Sequence, residues 1–390
     1  MPYNFDKVLN RENTHCLKYD GREKIFGTKD VKPLWVADMD FETPDFIIDA
    51  LKQRINHPIF GYSFKPDSYF DSIISWNERH HHWKIQKDWI GTSSGVVPSL
   101  ALLTLALTQP GDKIIVQPPV YFPFFNTISH NGRVVTENPL AKKGDSYEMD
   151  FEHLESVIDE SAKVIFISNP HNPGGRTWNT YELGKLADIC LKHKIIMISD
   201  EIHSDLALPG HVHTPLASLH PDICKQTITT LAPSKTFNIA SLLTSYIVTS
   251  NTHYLQAYKN VQEALHLYVD NVFGTQALIA AYTHGDVWLD ELKKYLATNL
   301  NYIDSYIKAE LPALKLMRPE ATYLAWIDFS ALGMSDKDLQ NFLVEKAKLG
   351  LNAGIMFGTG GTGYARLNFG CPMDTLKPAL SDLRTAINML

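Results

Sequence analysis

The sequence predicts an α/β fold with a large, mostly parallel sheet and a second, smaller α+β domain, and three observations predict it. Short bounded apolar runs recur at Lys113–Gln117, Val164–Ile167, Ile195–Ser199, Gln226–Leu231 and Tyr246–Thr249. Runs of this length read as buried parallel strands. Helical patterns alternate with them, the signature of right-handed crossover units. After Gly274 the character changes to a long helical pattern over Asp286–Glu310, strands around Tyr323–Phe329 and Ala365–Phe369, and a last helix from Asp374. The expected division is a large domain over 44–284 and a small one built from 1–43 and 285–390.

A chain of 390 residues, 44% of them hydrophobic, is long enough for two cores. Its net charge of −7 is spread along the chain, and no basic stripe points to nucleic acid. The run His80-His81-His82-Trp83-Lys84 reads as a wet helix end. Cys16, Cys190, Cys224 and Cys371 show no paired spacing, as expected of reduced thiols. Met1-Pro2-Tyr3-Asn4 opens without a signal segment and no apolar run reaches membrane-spanning length, so a soluble cytoplasmic protein is expected, with no membrane partner.

Taken in order, the first forty-odd residues are polar and turn-rich, and read as an arm and loop rather than a packed layer. A helix with one apolar face follows from Phe46 to Ile55 and stops before Pro58. Gly61-Tyr62-Ser63 is an exposed turn. Gly91-Thr92-Ser93-Ser94-Gly95-Val96-Val97-Pro98 leads into the apolar helix Leu100–Leu107, and a helix start with free N–H groups and the positive dipole end is an anion site. Ser94, Gly95 and Val96 are the candidates there. Gly358-Thr359-Gly360-Gly361-Thr362-Gly363 has the letters of a dinucleotide fingerprint but leads into a strand, which lacks the helix start that would hold a pyrophosphate.

The chemistry is expected between Ile195 and Phe237. Asp200 ends one strand-like run, Lys235 follows another, and Asn172 follows a third, so a carboxylate, an amine and an amide reach the same edge of one sheet. A lysine buried there has its pKa lowered and becomes a nucleophile able to form a Schiff base. On the residues alone other readings stay open. An aspartate after a strand also caps helices, a lysine near a loop is ordinarily solvated, and Asp200, His203 and Asp205 form a loose metal-like set.

NPHNPGGR at 169–176, SDEIH at 199–203 and SKTF at 234–237, in this order and separation, resemble fold-type I pyridoxal-phosphate enzymes. Trp35-Val36-Ala37-Asp38-Met39-Asp40-Phe41, Phe60-Gly61-Tyr62 and Asp200-Glu201-Ile202-His203 resemble the MalY/PatB-type cystathionine β-lyase branch on the aspartate-aminotransferase scaffold. The resemblance spans nearly the whole chain. It implies a seven-stranded-type sheet, pyridoxal 5'-phosphate as cofactor, no metal, a small amino acid substrate, and a homodimer with sites shared across the interface. It implies Lys235 as the cofactor-bearing lysine and base, Asp200 on the pyridine nitrogen, Tyr121 stacked on the ring, and Asn172 and His203 on the phenolic oxygen. Ser234 and the Ser94-Gly95-Val96 helix start would hold the phosphate, with Tyr62 reaching it from the other subunit. Arg366 stands at the α-carboxylate position, where a planar guanidinium offers two parallel hydrogen bonds. Ala37 and Asp38 lie near the substrate. Two departures are visible: Phe64-Lys65 where relatives place an arginine after the tyrosine, and Leu243 where aminotransferases carry a phosphate-binding arginine. The implied function is carbon–sulfur β-elimination from cysteine conjugates, with class I/II transamination as the alternative. Some relatives instead regulate by binding a partner protein; no helix-turn-helix or tail supports that here.

Overall fold

The computed structural model describes residues 3–390. Seven strands form the central sheet, side by side in the order Ile90–Ser93, Ser245–Val248, Thr227–Leu231, Ile196–Asp200, Ala162–Ser168, Lys113–Val116, Val134–Glu137. The five from Thr227–Leu231 to Val134–Glu137 run parallel, while Ser245–Val248 is antiparallel to both its neighbours. The expected strands form within a residue or two of their apolar runs, because helices cover both faces and make uninterrupted Ile, Val and Phe favourable. A second, antiparallel sheet has the order Lys315–Met317, Leu324–Asp328, Tyr364–Asn368, Asn352–Ala353. The helices Asp286–Glu310 and Met373–Ile387 lie beside it. We propose the domain division 44–284 against 1–43 with 285–390, since every strand of the large sheet falls before residue 249 and every strand of the small one after 314. One apolar core nevertheless runs from Ile47, Tyr69 and Trp76 to Leu324, Phe369 and Leu383.

Two expectations are corrected. Residues 3–41 are packed rather than an arm and loop: Phe5, Leu34, Met39 and Phe41 are buried, Leu17–Asp20 and Arg22–Phe26 are short helices, and Lys32-Pro33 pairs in parallel with Leu349-Gly350. The polar composition misled because its charges satisfy one another. Lys18, wholly buried, bonds Asp40 at 2.7 Å, and Arg11 bonds Asp38 and Asp40, each at 2.6 Å. His80-His81-His82 is likewise not simply a wet helix end. The helix Asp67–His81 closes with His82 in the left-handed region, and His81 turns inward to Asp205 at 2.8 Å.

Candidate active site

Asp200 is the last residue of its strand, opposite Ser168 on one side and Thr230 on the other. All three strands run the same way, so their carboxyl ends open together, as the rule for open α/β sheets requires. Lys235 comes four residues after the end of Thr227–Leu231, and Asn172 four after the end of Ala162–Ser168. The helix Val96–Leu107 starts against the same edge. Its first residue follows Gly95, and no side chain caps it, so the leading N–H groups are left for a ligand.

These elements enclose a cavity of about 200 Å³. Of the residues singled out in the sequence, Ala37, Gly95, Val96, Tyr121, Asn172, Asp200, His203, Ser234 and Lys235 line it. Ser94 is exposed and stands outside the wall. Tyr62 is 97% exposed and does not line its own chain's cavity. Arg366 lies just behind the wall: its Nη1 donates to Asn172 Oδ1 at 2.9 Å, and Nη2 to Asn352 Oδ1 at 2.7 Å and to the Trp35 carbonyl at 3.2 Å. With Asn172 Oδ1 taken by the guanidinium, the NH₂ of that amide is the group left to offer a ligand. Asp205 belongs elsewhere. It accepts from Trp76, His81 and Thr236, so it does not join Asp200 and His203 as the loose metal-like set supposed.

Burial sets the electrostatics. It pushes the Asp200 carboxyl up to about 7, against the pull of the Ile202 N–H, 3.2 Å from Oδ1, and of Lys235. Burial, and then Arg366, lowers Lys235 to about 8, against the pull of Asp38 and Asp200. Burial, then Lys235 and Arg366, holds His203 well below its usual value, so that imidazole is neutral. Arg366 itself is lowered to about 10 by burial.

Several participants escaped the sequence reading. Ser168, Val97, Pro98 and Ile202 line the cavity. Tyr323, read only as the start of a strand, is wholly buried, donates to the Ala37 carbonyl at 2.9 Å and meets the His203 ring edge-on at 6.0 Å. The same carbonyl accepts from Lys235 Nζ at 2.6 Å. Asn352 carries no motif, and the contact of the Trp35 carbonyl with Arg366 is not one that its motif announced. Asn238 had a signal that was passed over, a residue suited to the left-handed region just after SKTF.

A cavity with a neutral imidazole, a buried carboxylate, a buried lysine and an uncapped helix start suits one ligand chemistry: a planar nitrogen heterocycle bearing an aldehyde and a phosphate. Two buried polar atoms, His203 Nδ1 and Arg366 Nε, have no partner within the protein. The chain belongs to the aminotransferase class I and II family, whose model matches residues 29–383. Within that family it is 43% identical over 386 residues to Cystathionine beta-lyase PatB of Bacillus subtilis (strain 168), covering 99% of this chain and 100% of that protein. It is 34% identical over 389 residues to Protein MalY of Escherichia coli (strain K12), covering 99% of each. A pyridoxal-phosphate-bound putative aminotransferase from Clostridium difficile 630 superposes with a TM-score of 0.97 at 44% identity, over 99% of this chain and 100% of that one. Cystalysin from Treponema denticola, which contains a pyridoxal 5'-phosphate cofactor, does so at 0.97 with 35% identity, over the full length of both. The fold is therefore the fold-type I pyridoxal-phosphate fold, and the cofactor is pyridoxal 5'-phosphate, as the motifs implied.

Proposed function

We propose that the protein is a pyridoxal-phosphate-dependent carbon–sulfur β-lyase, which cleaves cystathionine or other cysteine S-conjugates to a thiol, pyruvate and ammonia. One observation carries the reading: the 43% identity to a cystathionine β-lyase extends over the whole length of both chains.

When bound, pyridoxal phosphate supplies an electron-accepting ring joined to the substrate nitrogen, and this makes the Cα proton removable. The protein's part is binding and proton movement. Val96 and Gly95 at the helix start, with Ser234, would hold the phosphate through N–H and hydroxyl donors, while Ser94 stands outside the wall. Tyr121 packs its ring on the heterocycle. Asp200 holds a proton on the ring nitrogen, a task for which a pKa near neutrality suits it. The Asn172 NH₂ and His203 hydrogen-bond the phenolic oxygen. Arg366 takes the α-carboxylate, and Ala37 borders the substrate with Asp38. Lys235 Nζ moves the proton from Cα; with a pKa lowered to about 8 it holds enough neutral amine at neutral pH to act as a base. Loss of the thiolate from Cβ then follows from the carbanion's electron pair.

The same reading makes the enzyme a cytoplasmic homodimer, with the partner subunit's Tyr62 on the phosphate. What supports it is the extreme exposure of Tyr62 beside Ile59, Phe60 and Phe64, all more than half exposed. No helix among the described residues is long and apolar enough to cross a membrane.

Transamination remains the second reading, favoured by the putative aminotransferase among the similar structures. L-cystathionine separates the two. The lyase accumulates pyruvate over many turnovers without any 2-oxo acid. An aminotransferase stalls with its cofactor in the amine form until an acceptor is added.

A further inference from the structure

The segment Val36–Phe41 crosses the site between the two sheets, and two asparagines hold it from opposite sides. Asn368 stands two residues beyond Arg366 on the strand Tyr364–Asn368 and is wholly buried. Its Nδ2 donates to the carbonyls of Val36 at 2.5 Å and Asp38 at 2.6 Å, and its Oδ1 accepts from the Gly370 N–H at 2.8 Å. Asn238 stands three residues beyond Lys235. Its Oδ1 accepts from the Met39 N–H at 3.0 Å, and its Nδ2 donates to the carbonyls of Met39 and Phe41, each at 2.9 Å. Ala37 lies between the two residues that Asn368 holds and two residues before the first that Asn238 holds, and its carbonyl accepts from Lys235 Nζ and from the Tyr323 hydroxyl.

Two short stretches of chain are thus joined by two rungs, Lys235 to Ala37 and Asn238 to Met39. The first rung is a flexible side chain, and four methylenes leave its amine free to wander. The second is rigid. One side-chain amide gives and takes at the same residue, Met39, as a strand partner would, since asparagine, like a peptide group, carries a carbonyl acceptor beside an N–H donor. Asn238 also holds φ at 57°, in the left-handed region that asparagine adopts more readily than residues other than glycine. Its amide is spent wholly on this one segment.

We propose that Asn238 is a positioning residue: by clamping Met39 and Phe41 to the stretch that carries Lys235, it sets where the Ala37 carbonyl meets the Lys235 amine, and so the direction from which that amine reaches the substrate Cα. The proposal rests on the reading of Lys235 as the proton-moving base. An aspartate of the same shape would keep the acceptor for the Met39 N–H but turn a carboxylate oxygen onto two carbonyls. A glycine keeps the left-handed backbone and removes the clamp altogether.

The test uses the full-length holoenzyme with Asn238→Gly and Asn238→Asp. Three measurements are made: hydrogen exchange of the peptide covering 35–41, the pH midpoint of the bound cofactor's visible band, and kcat and KM for L-cystathionine. Both variants should speed exchange over 35–41, move the spectral midpoint, and lower kcat by about tenfold or more with a much smaller change in KM, as a misplaced reacting group does. Faster exchange with the midpoint and kcat unchanged overturns the proposal, since the segment would then be loose without consequence for the lysine. Unchanged exchange overturns it as well. If Asn238→Gly fails to fold, the isosteric Asn238→Asp decides on the same readings. Should the wild type yield no pyruvate at all, the lyase reading fails, and the spectral midpoint alone decides for or against the clamp.

Discussion

Arg366 is where the structure makes its most quantitative demand. Its side chain is 2% exposed, and its three hydrogen bonds go to an asparagine oxygen, a second asparagine oxygen and a carbonyl. No carboxylate pairs with it among the described residues, and only neutral oxygens accept from it. A buried cation without an anion is costly, and the lowering of its pKa to about 10 reports that cost. A substrate carboxylate would complete it, and Nε, which has no partner, is free to donate. Truncating one side of a buried charge pair removes about 2 to 5 kcal/mol of binding, which at about 1.4 kcal/mol per tenfold is roughly 30-fold to 4,000-fold. Water can enter the space left by Arg366→Ala and solvate the carboxylate, so the lower part of that range, about 30-fold to 300-fold in KM for L-cystathionine, is expected. Arg366→Lys keeps the charge but loses the planar fork and should fall between the alanine variant and wild type. The assay is steady-state pyruvate release, with an S-alkyl cysteamine as competitor. This amine lacks the carboxylate and should bind wild type and variant alike. If KM for cystathionine is unchanged in Arg366→Ala, or if the cysteamine loses affinity as much as cystathionine does, the carboxylate does not sit on this guanidinium.

The remaining predictions concern the other ionised groups and the assembly. Because Asp200 has its pKa raised to about 7, above the unfolded value near 4, its contribution to stability is fully present below about pH 4 and is lost as pH rises through 7. In cofactor-free protein the Tm of Asp200→Asn minus that of wild type should therefore grow as pH rises from about 4.5 to 8; a flat difference would mean the carboxylate is solvated. Lys235→Ala should abolish the borohydride-reducible linkage to the cofactor together with turnover, and a variant that keeps the linkage would assign it to another lysine. Tyr62→Ala and Lys235→Ala homodimers should each be poor enzymes. Unfolded together and reassembled at random, they should recover about a quarter of wild-type activity, since half the dimers are mixed and each mixed dimer holds one intact site. An activity equal to the parents' average would place Tyr62 in its own chain's site.

Most of the large sheet was legible because parallel strands buried on both faces must be apolar throughout, and chains such as Val164-Ile165-Phe166-Ile167 can hardly be anything else. Asp200 and Lys235 were legible for the same reason, as the first charged residues at or just beyond the carboxyl ends of such strands. The N-terminal segment was not. Its burial depends on Lys18 and Arg11 meeting Asp38 and Asp40 some twenty to thirty residues away, and a charge that is neutralised by tertiary contact looks in sequence like any solvated one. His81 misled in the same way, its partner Asp205 being 124 residues distant. The backbone half of the site was legible only at the helix start, where small residues before an apolar helix announce free amides. The carbonyls of Ala37 and Trp35 belong to no residue type, and only the path of the chain turns them toward Lys235 and Arg366.

That division has a consequence for how the site works. The side chains that a motif can announce are those whose charge the fold opposes: Lys235 and Arg366 are both lowered by burial, Asp200 is raised, and His203 is kept neutral. The groups that no motif announces, the backbone carbonyls and amides held by Asn238 and Asn368, are uncharged and cost little to bury once paired. The second set orients the first. Two of the three strained charges are cations, and the ligands proposed for this site, a phosphate and a carboxylate, are anions. Filling it therefore relieves what folding imposed, and binding must stabilise the protein in proportion to the ligand's affinity. By the same linkage Arg366 should hold its proton more tightly in the filled site, and a carboxylate on the guanidinium cancels part of the field that Arg366 exerts at Lys235 Nζ, where Asp38 and Asp200 act in the opposite sense.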